Sequence, residues 1–445
     1  MRMKILPLLV SLAWSPLLLA ATDLLQIYQE ALTQDATLQS AKSAQIAGQE
    51  ALPQGRALLL PSINLSANSQ HNDINTQFRS ASVFASARRQ YNSNGYNVNL
   101  TQPLYRPVNF AQYAQAKFSV EQSDALYAAA QQDLIIRVSQ AYFDVLLTQF
   151  NVTLAQAQKE AIAEQLAQAK RTFEVGTTTI TDTHDAQARY DLTVAQEIGA
   201  QNNLEISQNA LLQIIGRLPG ELVTVRGDVP LVAPEPSSME AWVDKAVQNN
   251  GEVKIARAAF EIATEEVNKA RGGHHPTVDL FASYGDVGTG GGTAGGSDVT
   301  SRIIGVQLNL PLFQGGATSS AVRQAVANQE KARQDLDVTQ RRIAQNARQS
   351  YLGVTSGIAQ VKALQQAVIS NQSSFDSTKL GLEVGVRTSV DLLNARQQLF
   401  SARRDLAQAL YNYILSRLSL GAAAGALSEA DVKQVNSWLK QSAKP

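Results

Sequence analysis

The chain of 445 residues repeats itself, and the repeat limits what it can fold into. Around Gly176 it reads Phe-Glu-Val-Gly-Thr-Thr-Thr-Ile-Thr-Asp; around Gly385, 209 positions later, it reads Leu-Glu-Val-Gly-Val-Arg-Thr-Ser-Val-Asp. The same offset pairs Asp182 with Asp391, Ala186 with Ala395 and Tyr142 with Tyr351. Val98, Leu100, Pro103 and Leu104 match Val306, Leu308, Pro311 and Leu312 at an offset of 208. Arg56, Pro61 and Leu65 match Arg271, Pro276 and Leu280 at 215. Single matches arise by chance; several blocks in one order do not, and the offset changes only where loops vary in length. A stretch dense in proline, residues 217–238, cannot continue a helix and separates the halves. The expected division is a signal segment at 1–21, a first repeat at 22–216, a connector at 217–238, a second repeat at 239–425 and a C-terminal segment at 426–445.

Each half reads helix, strand, loop, strand, long helix, turn, helix. Leu134, Val138, Ala141 and Val145 step by 4, 3, 4, as do Ile343, Ala347, Ser350 and Val354. Leu399, Ala402, Leu406, Ala409, Tyr413, Ser416 and Leu420 keep a coiled-coil seam. The segments from about 108 to 172 and about 316 to 380 lack proline; at ~1.5 Å per residue each reaches on the order of 100 Å. Gly353 and Gly357 mark a bend or a close contact within the second. Strand periodicity of two appears at about 61–70 (Ile63, Leu65, Ala67), 95–105 (Tyr96, Val98, Leu100), 276–285 (Val278, Leu280, Ala282, Tyr284) and 302–312 (Ile304, Val306, Leu308, Leu310). Each segment approaches the ~9–11 residues of a tilted membrane-spanning strand, and Tyr91, Tyr105, Phe281, Tyr284 and Phe313 are candidates for interfacial girdles. Residues 71–94 and 285–301 read as loops. Four strands cannot close in a membrane, where an open edge leaves backbone groups unpaired; two copies supply eight strands and three supply twelve, and periodicity admits both.

Composition removes other classes. Lys plus Arg equals Asp plus Glu at 38 each, so no basic footprint for nucleic acid exists. Without cysteine there is no disulfide, thiolate metal site or lipidated N-terminal cysteine. Adjacent His274 and His275 on extended backbone point to opposite faces and do not chelate. Asp182, Asp185 and Asp191 read as solvated helix charges, and the glycines at 288–296 lack the lysine and helix of a phosphate loop. No cofactor, metal or catalytic set is expected. Arg2 and Lys4 before the apolar stretch Ile5–Ala20 read as a secretory signal. A secreted structural or adhesive coiled-coil protein fits the helices and signal, but leaves the four strands unexplained.

Gln156-Ala157-Gln158-Lys159-Glu160-Ala161-Ile162, Arg171-Thr172-Phe173-Glu174-Val175-Gly176 and Leu310-Pro311-Leu312-Phe313-Gln314-Gly315-Gly316 carry a resemblance to the TolC family of outer-membrane channel proteins, over nearly the whole mature chain. That resemblance implies an α+β membrane protein: a homotrimer sharing a 12-stranded β-barrel in the lipid of a Gram-negative outer membrane, continuous with a periplasmic α-barrel. It implies a passive exit duct for efflux or type I secretion, coupled to a periplasmic adaptor and an inner-membrane transporter of RND, ABC or MFS type. It places adaptor contacts at the tips Gly176, Thr177, Gly385 and Val386, and an entrance gate at Thr181, Asp182, Leu382 and Arg387. Asp391 and Asn394 fall where the family sets ion selectivity at the entrance. Two departures follow. Leu382 replaces the tyrosine of the family pattern, removing a hydroxyl link. Asn394 replaces a second carboxylate on the helix face of Asp391, so the entrance carries half the acidic charge.

Overall fold

The computed structural model describes residues 21–80, 87–177 and 179–439, with the Ser389 side chain left aside. The signal segment expected at 1–21 thus lies outside the described residues except for Ala21, as do residues 440–445. In chain order the elements are α1 (Leu24–Gln34), α2 (Ala36–Gln49), α3 (Ala51–Ala57), β1 (Ser62–Thr76), β2 (Ala87–Tyr105), α4 (Pro107–Glu174) and α5 (Ile180–Ile215). After the connector come α6 (Met239–Asn249), α7 (Gly251–Gly272), β3 (Thr277–Thr289), β4 (Ser297–Asn309), α8 (Ala317–Glu383), α9 (Ser389–Ala423) and α10 (Glu429–Asn436). Where the periodicity predicts one helix ahead of the strands in each half, the helix is broken. Asp35 ends α1 and accepts the Leu38 N–H at 2.7 Å to start α2; Asn250 accepts from the Glu252 N–H to start α7. Short polar side chains that satisfy free N–H groups start a new helix.

Two compact units emerge. One holds Ser40–Ala130 and Lys245–Gln345. It contains an antiparallel sheet in the order β1-β2-β3-β4. Its register sorts the side chains. Ile63, Leu100, Ala282 and Ile304 lie in one row, and Leu65, Val98, Tyr284 and Arg302 in the next on the same face. The rows between run Asn64, Asn99, Ser283, Ile303 and Ser66, Asn97, Gly285, Ser301. One face is therefore largely apolar and the other largely polar. The apolar face is open: Leu65 is 71% and Ile304 77% exposed. The strands run further than their alternation suggests, into 71–76, 87–94, 286–289 and 297–301, where polar side chains pair across strands. His71 meets Asn92 at 2.8 Å, Asn72 donates to Ser93 at 2.9 Å and Arg88 pairs with Asp73. Parity also corrects the girdle. Tyr284 shares the apolar face with Tyr96, ring centroids 6.3 Å apart, but Tyr91 and Phe281 fall on the opposite face by register. Phe313 follows β4, and Tyr105 sits at a register shift.

The other unit runs to Gln39, from Gln131 to Asp244, and from Asn346 onward. Its core follows the seams read in the sequence: Leu134, Val138, Val145, Leu399, Ala402, Ala409, Tyr413 and Leu420 are buried. Gly353 marks a close contact, because a Cβ there would lie 3.1 Å from the Ser416 hydroxyl. The connector is held by aromatic side chains. The Tyr142 hydroxyl donates to the Val223 carbonyl at 2.7 Å, the Val232 N–H donates to the Tyr413 hydroxyl at 2.9 Å, and the Trp242 indole N–H donates to the Pro236 carbonyl at 2.8 Å. These bonds supply partners to backbone groups that an irregular segment cannot pair with itself. Asp35, with its side chain 4% exposed, is clasped by both terminal nitrogens of Arg137 at 2.9 and 3.0 Å.

Candidate functional site: the two helical tips

The two turns that join α4 to α5 and α8 to α9 are built alike. In the first, the Thr177 N–H donates to the Thr172 carbonyl at 2.9 Å and the Gly176 N–H to Phe173 at 2.9 Å. In the second, the Val386 N–H donates to the Gly381 carbonyl at 2.9 Å and the Gly385 N–H to Leu382 at 3.1 Å. Both are Schellman endings, which pair the last helical carbonyls through a left-handed residue. Gly176 and Gly385 supply that residue, with φ of 76° and 78°; a side chain would be strained there.

Three residues past each glycine a threonine starts the next helix. The Asp182 N–H donates to the Thr179 hydroxyl at 3.4 Å, while the Thr179 N–H and hydroxyl donate to Asp182 Oδ2, both at 3.1 Å. Thr388 and Asp391 repeat this at 3.1, 3.0 and 2.9 Å. These are capping boxes. The expected gate and selectivity residues Asp182 and Asp391 are thus also the acids that nucleate α5 and α9. Each has one carboxylate oxygen engaged with its own helix start. The backbone and hydroxyl of Thr388, with a further pull from Arg387, hold the Asp391 carboxyl below the usual carboxylate range.

The expected residues separate by turn. Gly176, Thr177, Thr181 and Asp182 belong to the first; Leu382, Gly385, Val386, Arg387, Asp391 and Asn394 belong to the second. Gly176, Thr177, Thr181, Asp182, Gly385, Val386, Arg387 and Asn394 are exposed. Among the described residues no ion pair joins Arg387 to Asp182 or Asp391. Leu382 is half-buried and lines a hollow of about 130 Å³ with Leu392, Leu393 and Arg396 of α9 and Gln165 of α4, so it packs where the family pattern has a hydroxyl. The residues that the sequence reading left out are Thr179 and Thr388. Their signal was present: a threonine three positions before an acid at the head of a helical pattern. The ion pair of Lys159 on α4 with Glu197 on α5, at 2.5 Å, had no such signal, because the two residues lie on different helices.

Comparison with known proteins places this architecture. The profile of the family described as "Outer membrane efflux protein" matches residues 27–217 and 242–426. The chain is similar to the outer membrane protein TolC of Vibrio cholerae, 36% identical over 442 residues, covering 98% of this chain and 99% of the relative. It is similar to the alkaline protease secretion protein AprF of Pseudomonas aeruginosa, 35% identical over 423 residues, covering 93% and 87%. Its fold resembles the Campylobacter jejuni CmeC outer membrane channel, with a TM-score of 0.77 at 18% identity, covering 94% of this chain and 90% of that one. These likenesses and the two-faced sheet support a channel and give no support to a secreted structural coiled coil. The chain belongs to the outer membrane efflux protein family and is an outer-membrane channel of the TolC type.

Proposed function

We propose that the chain is one protomer of a homotrimeric exit duct, which conducts substrates passively from an inner-membrane transporter and a periplasmic adaptor to the cell exterior. The sheet carries this reading. It has an open apolar face, a polar face and two unpaired edges, β1 and β4. A sheet with edges is not viable in hydrocarbon, and joining β4 of one copy to β1 of the next removes every edge. Three copies give twelve strands, with the apolar face toward lipid and the Asn and Ser rows lining a polar lumen, as in barrels of this kind.

The tips are the periplasmic entrance in this reading. Gly176, Thr177, Gly385 and Val386 are the points an adaptor grips, and their exposure suits that role. Thr181, Asp182 and Arg387 close the entrance by links between tips, with Leu382 contributing packing. Asp391 forms a ring of three carboxylates in the trimer, which concentrates cations at a narrow opening; Asn394 adds no charge to it. Both tripartite efflux and type I secretion need such a duct, and the transporter selects between them. The test is reversal-potential measurement on purified trimer in a planar bilayer. A cation preference that falls in Asp391→Asn supports the entrance role; unchanged selectivity in that variant removes it.

A further inference from the structure

One cation stands within the apolar face of the sheet. Arg302 of β4 shares a row with Leu65, Val98 and Tyr284. On one side of it the same face of β4 continues through Ile304, Val306 and Leu308, which are all exposed. On the other side the next row is Ala67, Tyr96, Asp286 and Thr300, where the face turns polar. The long helices adjoin the Leu308 end of the strands. Arg302 therefore marks the border of the apolar band on the side away from the helices, toward the cell exterior.

Arg302 lacks the counter-charge that this position calls for. Its guanidinium lies 5.7 Å from the centre of the Tyr284 ring, and Tyr96 is 6.3 Å from that ring. The cation–π contact fixes where the charge sits and leaves the donors of the guanidinium fork unspent. Among the described residues no carboxylate pairs with Arg302 and none of its N–H groups meets an acceptor. The acids on the same face lie outward of it. Asp286 is one row on and accepts the Thr300 hydroxyl at 2.7 Å, and Asp298 is two rows on, toward water, where charge is screened. The next copy does not supply a partner either. The only carboxylate on β1, the strand that would meet β4, is Asp73, and it is paired with Arg88. An arginine is tolerated at the border of a lipid-facing band far better than at its centre, but its fork is still to be filled.

We propose that Arg302, seated on Tyr284, binds the phosphate of an outer-leaflet glycolipid whose acyl chains lie along the Ile304 and Val306 rows. The proposal rests on the reading of the sheet as part of a trimeric barrel. A guanidinium meets phosphate bidentately, and the apolar rows beside it match acyl chains, so one molecule uses both. The exterior border selects the outer leaflet, whose lipid in a Gram-negative outer membrane is a phosphorylated glycolipid. Because β4 is an edge strand, each site sits beside a seam between copies, and bound lipid covers the junction that closes the barrel.

The purified full-length protein in detergent is titrated with a diphosphorylated, acylated glucosamine disaccharide, with the same lipid lacking phosphate, and with phosphatidylglycerol. Bound lipid is counted by native mass spectrometry, which also gives the mass of the assembly. The expected result is saturation by the phosphorylated glycolipid at one molecule per protomer, with binding roughly tenfold weaker in Arg302→Gln, the scale of one charge-assisted hydrogen bond. Arg302→Lys, which keeps the charge and loses the fork, should fall between the two. The lipid without phosphate should bind weakly and equally to all three chains. An assembly that is not a trimer would overturn the barrel reading and this proposal with it. A trimer with no saturable glycolipid, or with binding unchanged in both variants, would overturn this proposal alone. So would an equal loss in Arg302→Gln for the lipid without phosphate, or phosphatidylglycerol binding as tightly as the glycolipid.

Discussion

At the residue scale each tip aspartate starts a helix, and in the proposed duct Asp391 also faces the entrance. Asp391 receives both the N–H and the hydroxyl of Thr388, which hold its carboxyl below the ordinary aspartate value of 3.8. A depressed value means the charge persists as pH falls and disappears only below the usual range. Cation preference should therefore hold down to that range and fade beneath it. Thr388→Val removes the hydroxyl donor, so the loss should move to higher pH, and Thr388→Ser should restore it. Reversal potentials measured across a pH series read this directly; identical profiles for all three chains would contradict the positioning role. Thr388→Ala and Thr179→Ala should each cost about 1 kcal/mol at the head of a helix, seen as faster amide exchange in the first turn of α9 or α5.

Asp35 shows the same physics in a buried setting. Its carboxyl is held below 3.8 chiefly by the hydrogen bonds from Arg137, against burial, which acts in the opposite direction. A lowered folded-state value gives stability that is present above the unfolded value and lost as pH falls through the folded one. Asp35→Asn should therefore destabilise the protein at neutral pH by about 2 kcal/mol, less than a fully buried pair because the Arg137 side chain is 30% exposed. The difference from the native chain should be full at neutral pH and shrink only in acid, below the ordinary aspartate value of 3.8, as the wild-type carboxyl also loses its charge. Thermal melts followed by helical circular dichroism at both pH values check this.

At the element scale, what the sequence makes legible depends on whether a residue's partner is near in sequence or can be inferred from a period. The seams of α4, α8 and α9 are readable because a 3, 4 alternation identifies a buried stripe, and Leu134, Val138 and Tyr413 are indeed buried. The lipid-facing rows are readable for the same reason. The outer ends of β1 and β2 are not, since Asn72, Ser93, His71 and Asn92 carry no alternation of hydrophobicity and are held by bonds to each other across the hairpin. The capping boxes at Thr179 and Thr388 are local and were open to a closer reading of the same residues. The grip of Tyr142 and Tyr413 on the connector was not, because their acceptors lie 81 and 181 positions away.

Two predictions belong to elements. Leu65→Lys and Val306→Lys place a charge on the exposed apolar face, where a mid-membrane lysine costs on the order of 2–4 kcal/mol. Both should reduce the amount of heat-modifiable protein recovered from the outer membrane, and Asn64→Lys on the polar face should not. Tyr142→Phe with Tyr413→Phe removes the hydroxyls that hold the connector, at about 1 kcal/mol each. Amide exchange over residues 219–233 should accelerate, with α4 and α9 little changed.

At the scale of the whole molecule, the duplicated chain carries two similar tips and one unfinished sheet. The tips share the capping acid, Asp182 on one and Asp391 on the other, but differ beside it, with Thr181 and Asp185 on the first and Arg387 and Asn394 on the second, so copies arranged in a ring can set unlike tips side by side. The sheet differs from a soluble one in that its edges are long and uncovered: β1 has 15 residues and β4 has 13. Soluble proteins blunt such edges. Here they are the means of assembly, and an interface joining β4 to β1 is head to tail, which closes into a ring when the rotation permits. The most direct measurement of that claim uses the absence of native cysteine. Chains carrying one cysteine on β1, stepped from Ser62 to Gln70, and one on β4, stepped from Ser301 to Asn309, are oxidised in isolated outer membranes and separated under denaturing, non-reducing conditions. One registered set of pairs should give covalent dimers and trimers and nothing larger, and the covalent trimer should still conduct ions in a planar bilayer. Cross-links that continue into open polymers, that stop at two, or that never form between β1 and β4 would contradict it.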